Sequence, residues 1–293
     1  MKISVITVCY NNLEGLKRTL PSVATQTYDD YEMIVIDGGS TDGSKEYIQS
    51  IERIDYWVSE PDRGIYHAMN KGIDAAHGEY CIFMNSGDTF FSSQALENVA
   101  DKLVSKDFYV ARSTFFQDNV STTCIPPKKM TIQFILTNAL NHQGSFIRTA
   151  FLKENHYDEK FRVVADWELF GRKWLREECT YEALPVMTSI YYLDGISTLL
   201  LDEVQDERPG LVADIVKGLP ESAKKRKYEK EIEKVQRRQD LIKQGKDPLT
   251  KTERRVKTLK FKVDRAVELP PLLGDWKIIR NGFKQLFKDI FSL

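Results

Sequence analysis

Residues Ile3 to Cys9 form a run of apolar and β-branched positions that reads as a buried strand. Polar Asn11 and Asn12 follow and can cap a helix. In it Leu13, Leu16, Leu20 and Val23 recur at helical spacing, and Pro21 is expected to break or kink it. A second strand is expected over Glu32 to Ile36, a third over Ile54 to Val58 and a fourth over Tyr80 to Met84, with a helix over Gly64 to Ala76. Strands separated by helical stretches imply βαβ units and a parallel sheet. In such sheets ligands bind beyond the carboxyl ends of the strands. The residues expected there are Tyr10 and Asn11, then Asp37, then Glu60 to Arg63, then Asn85 to Asp88, so acidic and polar groups gather along one edge.

From about residue 108 to 197 strands and helices mix, with a helix over Trp167 to Glu177 and a long strand over Tyr181 to Tyr192. After Leu200 the character changes. Glu221 to Lys246 is dense in Lys, Glu, Arg and Gln, as in a solvated helix. From Asp275 to Phe291, Trp276, Ile279, Phe283, Phe287 and Ile290 fall on one helical face, interleaved with Lys277, Arg280, Lys284 and Lys288. Such a stripe suits an interfacial membrane helix or a helix packed back on the body, and periodicity alone does not choose between them.

Composition adds little to the first half and more to the last third. The 293 residues are 42% hydrophobic, enough for one large domain plus an appendage. The net charge of -1 gives no general attraction to nucleic acid. Residues 251–293 carry 11 Lys/Arg against 5 Asp/Glu, so a basic tail follows an acidic body, which points to an anionic surface as partner. The opening MKISVITVCYNN reads as a core strand rather than a signal peptide. No stretch approaches ~18 uninterrupted apolar residues, so a cytoplasmic protein is expected. Cys9, Cys81, Cys124 and Cys179 form no CxxC pair and read as buried hydrophobes.

Taken singly, the candidate residues have ordinary readings beside chemical ones. Asp37 can be a turn former before Gly38 and Gly39, or a cap. Asp166 can cap the helix that follows it, Trp167 can be a core residue, His142 a structural hydrogen-bonder, and Arg63 and Lys71 solvated surface charges. In order, the chain presents Ser4-Val-Ile-Thr-Val-Cys-Tyr-Asn11, Val35-Ile-Asp-Gly-Gly-Ser-Thr-Asp-Gly43, Glu60-Pro-Asp-Arg-Gly-Ile-Tyr-His-Ala-Met-Asn-Lys-Gly72, Gly78-Glu-Tyr-Cys-Ile-Phe-Met-Asn-Ser-Gly-Asp88, Asn141-His-Gln-Gly144 and Ala165-Asp-Trp-Glu168. Together these segments resemble the family 2 inverting glycosyltransferases of the GT-A fold, of the kind that builds bacterial surface polysaccharides.

The resemblance implies an α/β GT-A catalytic domain over 1–200, with a Rossmann-like, mostly parallel sheet flanked by helices. Its nucleotide-binding half is 1–105 and its acceptor half 106–200; a helical C-terminal extension covers 201–293, ending in the amphipathic tail 275–293. It implies transfer of a sugar from a nucleotide donor, expected to be UDP-linked, to a growing glycan, with inversion. In bacterial relatives that glycan is capsule, O-antigen or exopolysaccharide carried on a lipid, which would suit a tail that touches the membrane.

Thr7, Tyr10, Asn11, Asp37, Arg63, Lys71 and Asn85 then fall on the donor side, Tyr10 as a face for the base and Asp37 as acceptor for a base N–H. Arg63 and Lys71 would face the diphosphate and Asn85 the ribose. The family's DxD motif reads here Asn85-Ser-Gly-Asp88, so Asp88 alone is left to hold a divalent cation, Mn or Mg. The acid of the later motif, Asp166, is the expected base, and His142 and Trp167 are expected on the acceptor or diphosphate side. Glu168 lies two residues on, about 200° around the helix, so it cannot face the same acceptor.

Three other function classes compete with this reading. A sugar nucleotidyltransferase would want a glycine-rich basic loop after the first strand, and a dinucleotide oxidoreductase a GxGxxG there; Cys9-Tyr-Asn-Asn-Leu-Glu-Gly15 is neither. A non-catalytic sugar-nucleotide-binding module stays open, because the DxD site has lost an acid.

Overall fold

This computed structural model describes residues 1–117, 120–192 and 208–244. The first strand, β1 (Ile3–Cys9), is buried along its whole length. Its side chains alternate between two layers: Ile6 and Val8 face one, Ile3, Val5 and Cys9 the other. The helix α1 (Leu13–Ala24) is capped by Asn12, whose Oδ1 accepts from Gly15 N at 3.1 Å. It runs through Pro21 to Ala24. The proline falls in the exposed last turn, where it forfeits one backbone bond, and the burial of Leu16, Leu20 and Val23 carries the helix past it.

β2 (Tyr31–Asp37), α2 (Ser44–Gln49), β3 (Tyr56–Ser59), α3 (Ile65–Ala75) and β4 (Tyr80–Phe83) complete the first half. These strands lie parallel in the order β3-β2-β1-β4. The chain winds outward from β1 to β3, then crosses to the other side of β1 for β4. The loops leaving β1 and β4 therefore diverge, and the crevice between them is the switch point at which such sheets bind ligands.

Beyond β4 the sheet is mixed. β8 (Ser145–Arg148) runs antiparallel to β4 and to β6 (Phe108–Gln117); β6 pairs with β7 (Val120–Cys124) and, in parallel, with β9 (Tyr181–Tyr192); β9 carries β5 (Thr89–Phe90) at its outer side. β4 and β5 are thus close in sequence but separated by β8, β6 and β9 in the sheet. The segment joining them contains a turn closed by Asp88 N–H on the Asn85 carbonyl at 3.0 Å, so it is not extended. A flat sheet would put β4 and β5 about 19 Å apart at ~4.8 Å per strand, so the sheet curls around this loop. That curl puts Asp88 inside a concave end rather than on a rim. The short helix α4 (Glu97–Ala100) covers one face, and α5 (Ile132–Thr137), α6 (Thr149–Glu154) and α7 (Ala165–Leu175) follow in the second half of the chain. The α/β architecture expected from the sequence is present.

Contacts divide the chain into Met1–Val235 and Gln236–Leu293. Helices Arg208–Lys217 and Ala223–Lys243 follow residue 200. Val212, Val216, Tyr228, Ile232 and Val235 belong to the same apolar cluster as Trp167 and Phe170 of α7. The first part of the extension is therefore continuous with the catalytic core. The tail 275–293 lies outside the described residues. Among the described residues no helix is long and apolar enough to cross a membrane.

At the opposite end of the sheet from the crevice, Glu32 ties the turn before β4 to β1. It accepts from Ser4 Oγ at 2.6 Å, His77 N at 2.6 Å and Gly78 N at 3.1 Å. Burial pushes its carboxyl up, but the Ser4 hydroxyl and the His77 and Gly78 N–H groups outweigh that and hold it below the usual range. A depressed carboxylate contributes stability above its unfolded pKa and loses it as pH falls through its folded pKa. Glu32→Ala is therefore expected to cost about 2–3 kcal/mol at neutral pH, with the gap to wild type closing in acid. Denaturant melts of both proteins at pH 7 and below pH 4 check this; a gap constant with pH would refute it.

Candidate active site

The crevice is built by backbone and side-chain bonds between the β1, β2 and β4 loops. Asn11 adopts a left-handed backbone (φ 46°), and its N–H and Oδ1 engage Ser40 Oγ at 2.7 Å and Thr41 N at 2.8 Å. Asn12 Nδ2 donates to Ser86 O at 3.0 Å, and Thr19 Oγ1 donates to the Asp88 carbonyl at 2.7 Å and accepts from Gly87 N at 2.9 Å. The N-cap and the middle of α1 thus fix the loop that carries Asn85 and Asp88.

On the outer side of the crevice, Tyr10 is 63% exposed at the end of β1. Gly38 packs against it: a Cβ there would stand 3.2 Å from the Tyr10 ring and 2.5 Å from Asp62 Oδ2. The ends of β1, β2 and β3 therefore converge beside one free aromatic face. Asp37 lies beneath, fully buried, accepting from Ser40 N at 3.0 Å, Ser40 Oγ at 2.5 Å and Ser59 Oγ at 2.7 Å. It organises the loop from below.

On the other side of the crevice, α7 presents Asp166 in its first turn. Asp166 Oδ1 accepts from Tyr66 Oη at 3.1 Å and Trp167 N at 2.9 Å, and Oδ2 lies 3.3 Å from His142 Nδ1. The other face of that imidazole, Nε2, lies 3.2 Å from Asn85 Nδ2. Next to it, Gln143 Nε2 donates to Asp88 Oδ2 at 2.8 Å. The single 3-10 turn His142–Gly144 thus touches Asp166, Asn85 and Asp88, which come from two different halves of the chain.

Charge follows from these contacts. Burial raises the Asp166 carboxyl, but His142, the Trp167 N–H and the Tyr66 hydroxyl together bring it below the ordinary aspartate range. Burial lowers the His142 imidazole, while its bond to Asp166, the Asp166 charge and the Asp88 charge overcome this and leave it above its usual value. The site therefore holds an ionised carboxylate against an imidazole that protonates readily. Asn85 Oδ1 is a buried oxygen without a partner.

The sequence and the fold that build this crevice both have known relatives. The sequence model of Glycosyl transferase family 2 matches residues 4–161. The chain belongs to Glycosyl transferase family 2. An uncharacterised glycosyltransferase of Mycobacterium tuberculosis is 36% identical over 179 residues, which cover 58% of this glycosyltransferase and 68% of the relative. A PGL/p-HBAD biosynthesis glycosyltransferase of the same organism is 27% identical over 215 residues, 68% of this chain and 80% of the relative. Among solved structures, S. aureus TarS 1-349 in complex with UDP-GlcNAc superposes with a TM-score of 0.63 at 18% identity, covering 79% of this chain and 70% of TarS 1-349. The mannosyltransferase PcManGT from Pyrobaculum calidifontis, in complex with GDP-Man and Mn2+, gives 0.55 at 15% identity, covering 76% and 66%. These two share the fold.

Four expectations for the family 2 site need correction or redrawing. Thr7 is fully buried in the middle of β1, on the face covered by α1, and its hydroxyl has no partner. Only the carboxyl end of β1 reaches the crevice, and Thr7, two residues before Cys9, stops short of it. Trp167 is 4% exposed and donates its indole N–H to the Ile135 carbonyl at 2.9 Å, so it is a core residue and offers no face to a sugar. Arg63 reaches across to Glu159, at 2.7 Å, and Lys71 pairs with Glu60 at 2.8 Å. Each cation is already matched by an acid, and turning either toward a diphosphate would break that pair. Glu168 bonds Arg172 at 2.7 Å, away from His142.

The structure also brings in residues to which the sequence assigned no role. Tyr66 and Gln143 both sit inside the motif segments. Their partners, Asp166 and Asp88, lie 100 and 55 positions away, which no local pattern encodes.

Proposed function

We propose that this glycosyltransferase moves a hexose-type sugar from a UDP-linked donor to a growing glycan with inversion at the anomeric carbon. The observation that carries the reading is the approach of Asp166, from the acceptor half, to Asn85 and Asp88, from the donor half, through the turn His142–Gly144. Tyr10 offers its exposed ring to the base. Asp37, fully buried and bound by Ser40 and Ser59, fixes the loop beside that ring, and it accepts from a base N–H only when that loop opens to the donor. Asn85 Oδ1, lacking a partner, takes a ribose hydroxyl. Asp166 removes the proton of the acceptor hydroxyl as that oxygen bonds to the anomeric carbon, while the diphosphate leaves on the opposite side.

A divalent cation, Mn or Mg, is the expected companion of the donor. Family 2 and GT-A members commonly use one, and the PcManGT structure contains Mn2+. Among the described residues no group of three or more His, Cys, Asp or Glu side chains could hold a metal ion. The residues present nonetheless suit a cation that arrives with its substrate: Asp88 is a buried carboxylate oriented by Gln143, and Mg-like ions are often held by one or two carboxylates plus phosphate oxygens. Asp88 would hold it, and the ion would supply counter-charge to the leaving diphosphate.

The likeness to a relative named for PGL/p-HBAD biosynthesis supports a role in glycan assembly, and surface-polysaccharide synthesis on a lipid-linked acceptor fits the basic tail. Truncation before Asp275 is expected to reduce flotation with anionic liposomes; equal flotation would remove the membrane part of the proposal. The catalytic part is tested by screening sugar nucleotides for cation-dependent turnover to the free nucleoside diphosphate. UDP-sugars should be consumed and GDP-sugars spared; no turnover of any UDP-sugar would overturn the donor assignment.

A further inference from the structure

Asp166 has two oxygens and about four directions in which a carboxylate accepts hydrogen bonds. Both directions on Oδ1 are taken, one by the Trp167 backbone N–H of the same helix and one by the hydroxyl of Tyr66 from α3. Oδ2 has a single, longer contact, to His142 Nδ1. The two oxygens of the base are therefore not equivalent.

We propose that Tyr66 is a positioning residue for the base: its hydroxyl pins Asp166 Oδ1, so that Oδ2 is the atom that takes the acceptor's proton. This rests on Asp166 being the base, as set out above. Tyr66 is well placed for the task. It is 6% exposed, sits in the first turn of α3 just after the Glu60–Gly64 segment, and its ring packs on Tyr157 at 5.5 Å. Tyr157 in turn packs on Phe83 of β4 at 5.7 Å, and its backbone is clasped by Asn70 of α3 at 2.9 and 3.0 Å. The hydroxyl is thus held by an aromatic stack and a second anchor on the same helix. A hydroxyl held in this way fixes the carboxylate plane, which otherwise turns about a broad torsion. It also withdraws charge from Oδ1, where the acceptor does not reach.

The groups that face Asp166 are Tyr66 from α3, His142 from the 3-10 turn, Tyr157 from the loop before α7 and, acting through His142, Asp88. Burial and the Asp166 charge both push the Tyr66 phenol well above its ordinary value, so it stays a donor at every working pH. Removing this donor takes away one of the influences that lower the Asp166 carboxyl.

Tyr66→Phe removes the hydroxyl and keeps the ring. In protein labelled with ¹³C at aspartate carboxyls, with the Asp166 resonance assigned from Asp166→Asn, the Asp166 titration is expected to move to higher pH in Tyr66→Phe. This measurement needs no donor. In turnover of the UDP-sugar that the screen identifies, kcat is expected to fall about tenfold, in line with loss of a hydrogen bond to a charged group. KM for the donor should stay unchanged and the acid limb of the kcat profile should move up in pH. Tyr66→Leu, which also loses the ring, should be worse in both kcat and melting temperature. An Asp166 titration and acid limb that stay at their wild-type positions in Tyr66→Phe would overturn the proposal, even if the variant melts lower. The underlying reading fails separately: if Asp166→Asn retains turnover, the base is elsewhere, whatever Tyr66→Phe does.

Discussion

Asp166→Asn is expected to lower sugar transfer by about 10²–10⁴-fold, the usual contribution of a positioned general base. UDP binding should be unaffected, because Tyr10, Asp37 and Asn85 lie on other elements. Asparagine keeps the shape of the side chain and an oxygen for the Tyr66 hydroxyl and the Trp167 N–H. What it loses is the negative charge that takes the proton. The same charge helps hold His142 above its ordinary value, so the His142 imidazole should titrate lower in the variant. The wild-type pH profile has a definite sign. The base works when ionised, and its carboxyl lies below the ordinary aspartate range, so transfer should be level through neutral pH and fall only in strong acid. Steady-state transfer, isothermal titration with UDP and histidine-resolved NMR read the three effects separately. Transfer within a few-fold of wild type would remove Asp166 from the reaction.

How far the sequence foretold this arrangement differs sharply between the two halves. β1, α1, β2 and α3 were legible because each is buried in a regular pattern: Ile6 and Val8 against Ile3, Val5 and Cys9, or Leu16, Leu20 and Val23 at helical spacing. The convergence of strand ends on one edge followed from parallel pairing alone. Pro21 misled because propensity speaks for an isolated helix, whereas three buried side chains speak for this one. Beyond β4, the position of β5 outside β9 and the curl it imposes depend on pairing between residues about 100 apart, Thr89 with Ile190. No periodicity contains that. The same limit explains the site. Motif order led to Asp88, Asp166, His142 and Asn85, but which atoms meet depends on tertiary approach. For Arg63 and Lys71 the sequence leaves a diphosphate contact and a solvated surface charge both open, because the ion pairs with Glu159 and Glu60 depend on tertiary approach. For Trp167 the sequence leaves a core place and an acceptor-side place both open; adjacent helix positions point about 100° apart, and with Asp166 toward His142 the indole lies in the core.

Gly144→Ala is expected to damage catalysis more than stability, because of where the added methyl would go. A Cβ on Gly144 would stand 2.8 Å from the Ala111 carbonyl oxygen and 3.5 Å from its carbon. Both are backbone atoms of β6, which is held on one side by β8 and β7 and on the other by β9. The strand has little freedom to yield, so the 3-10 turn must. Its flank is tied by Asn141 Nδ2 on Ser113 Oγ at 2.6 Å and Ser145 Oγ on the Asn141 carbonyl at 2.7 Å, side-chain bonds that can shift. Relief of an overpacked contact of this size costs about 1–3 kcal/mol, a fall of several degrees in melting temperature. The displacement, however, is passed directly to Gln143 and His142, the two residues whose side chains reach Asp88, Asn85 and Asp166. A shift of ~1 Å in such a constellation can cost about 10²-fold in rate. The expected result is a folded protein with turnover down by about two orders of magnitude and UDP affinity retained, read from melting, single-turnover transfer and UDP titration. Wild-type turnover in Gly144→Ala would mean that the turn absorbs the methyl without moving its side chains, and that the close approach to β6 serves packing rather than the placement of the site.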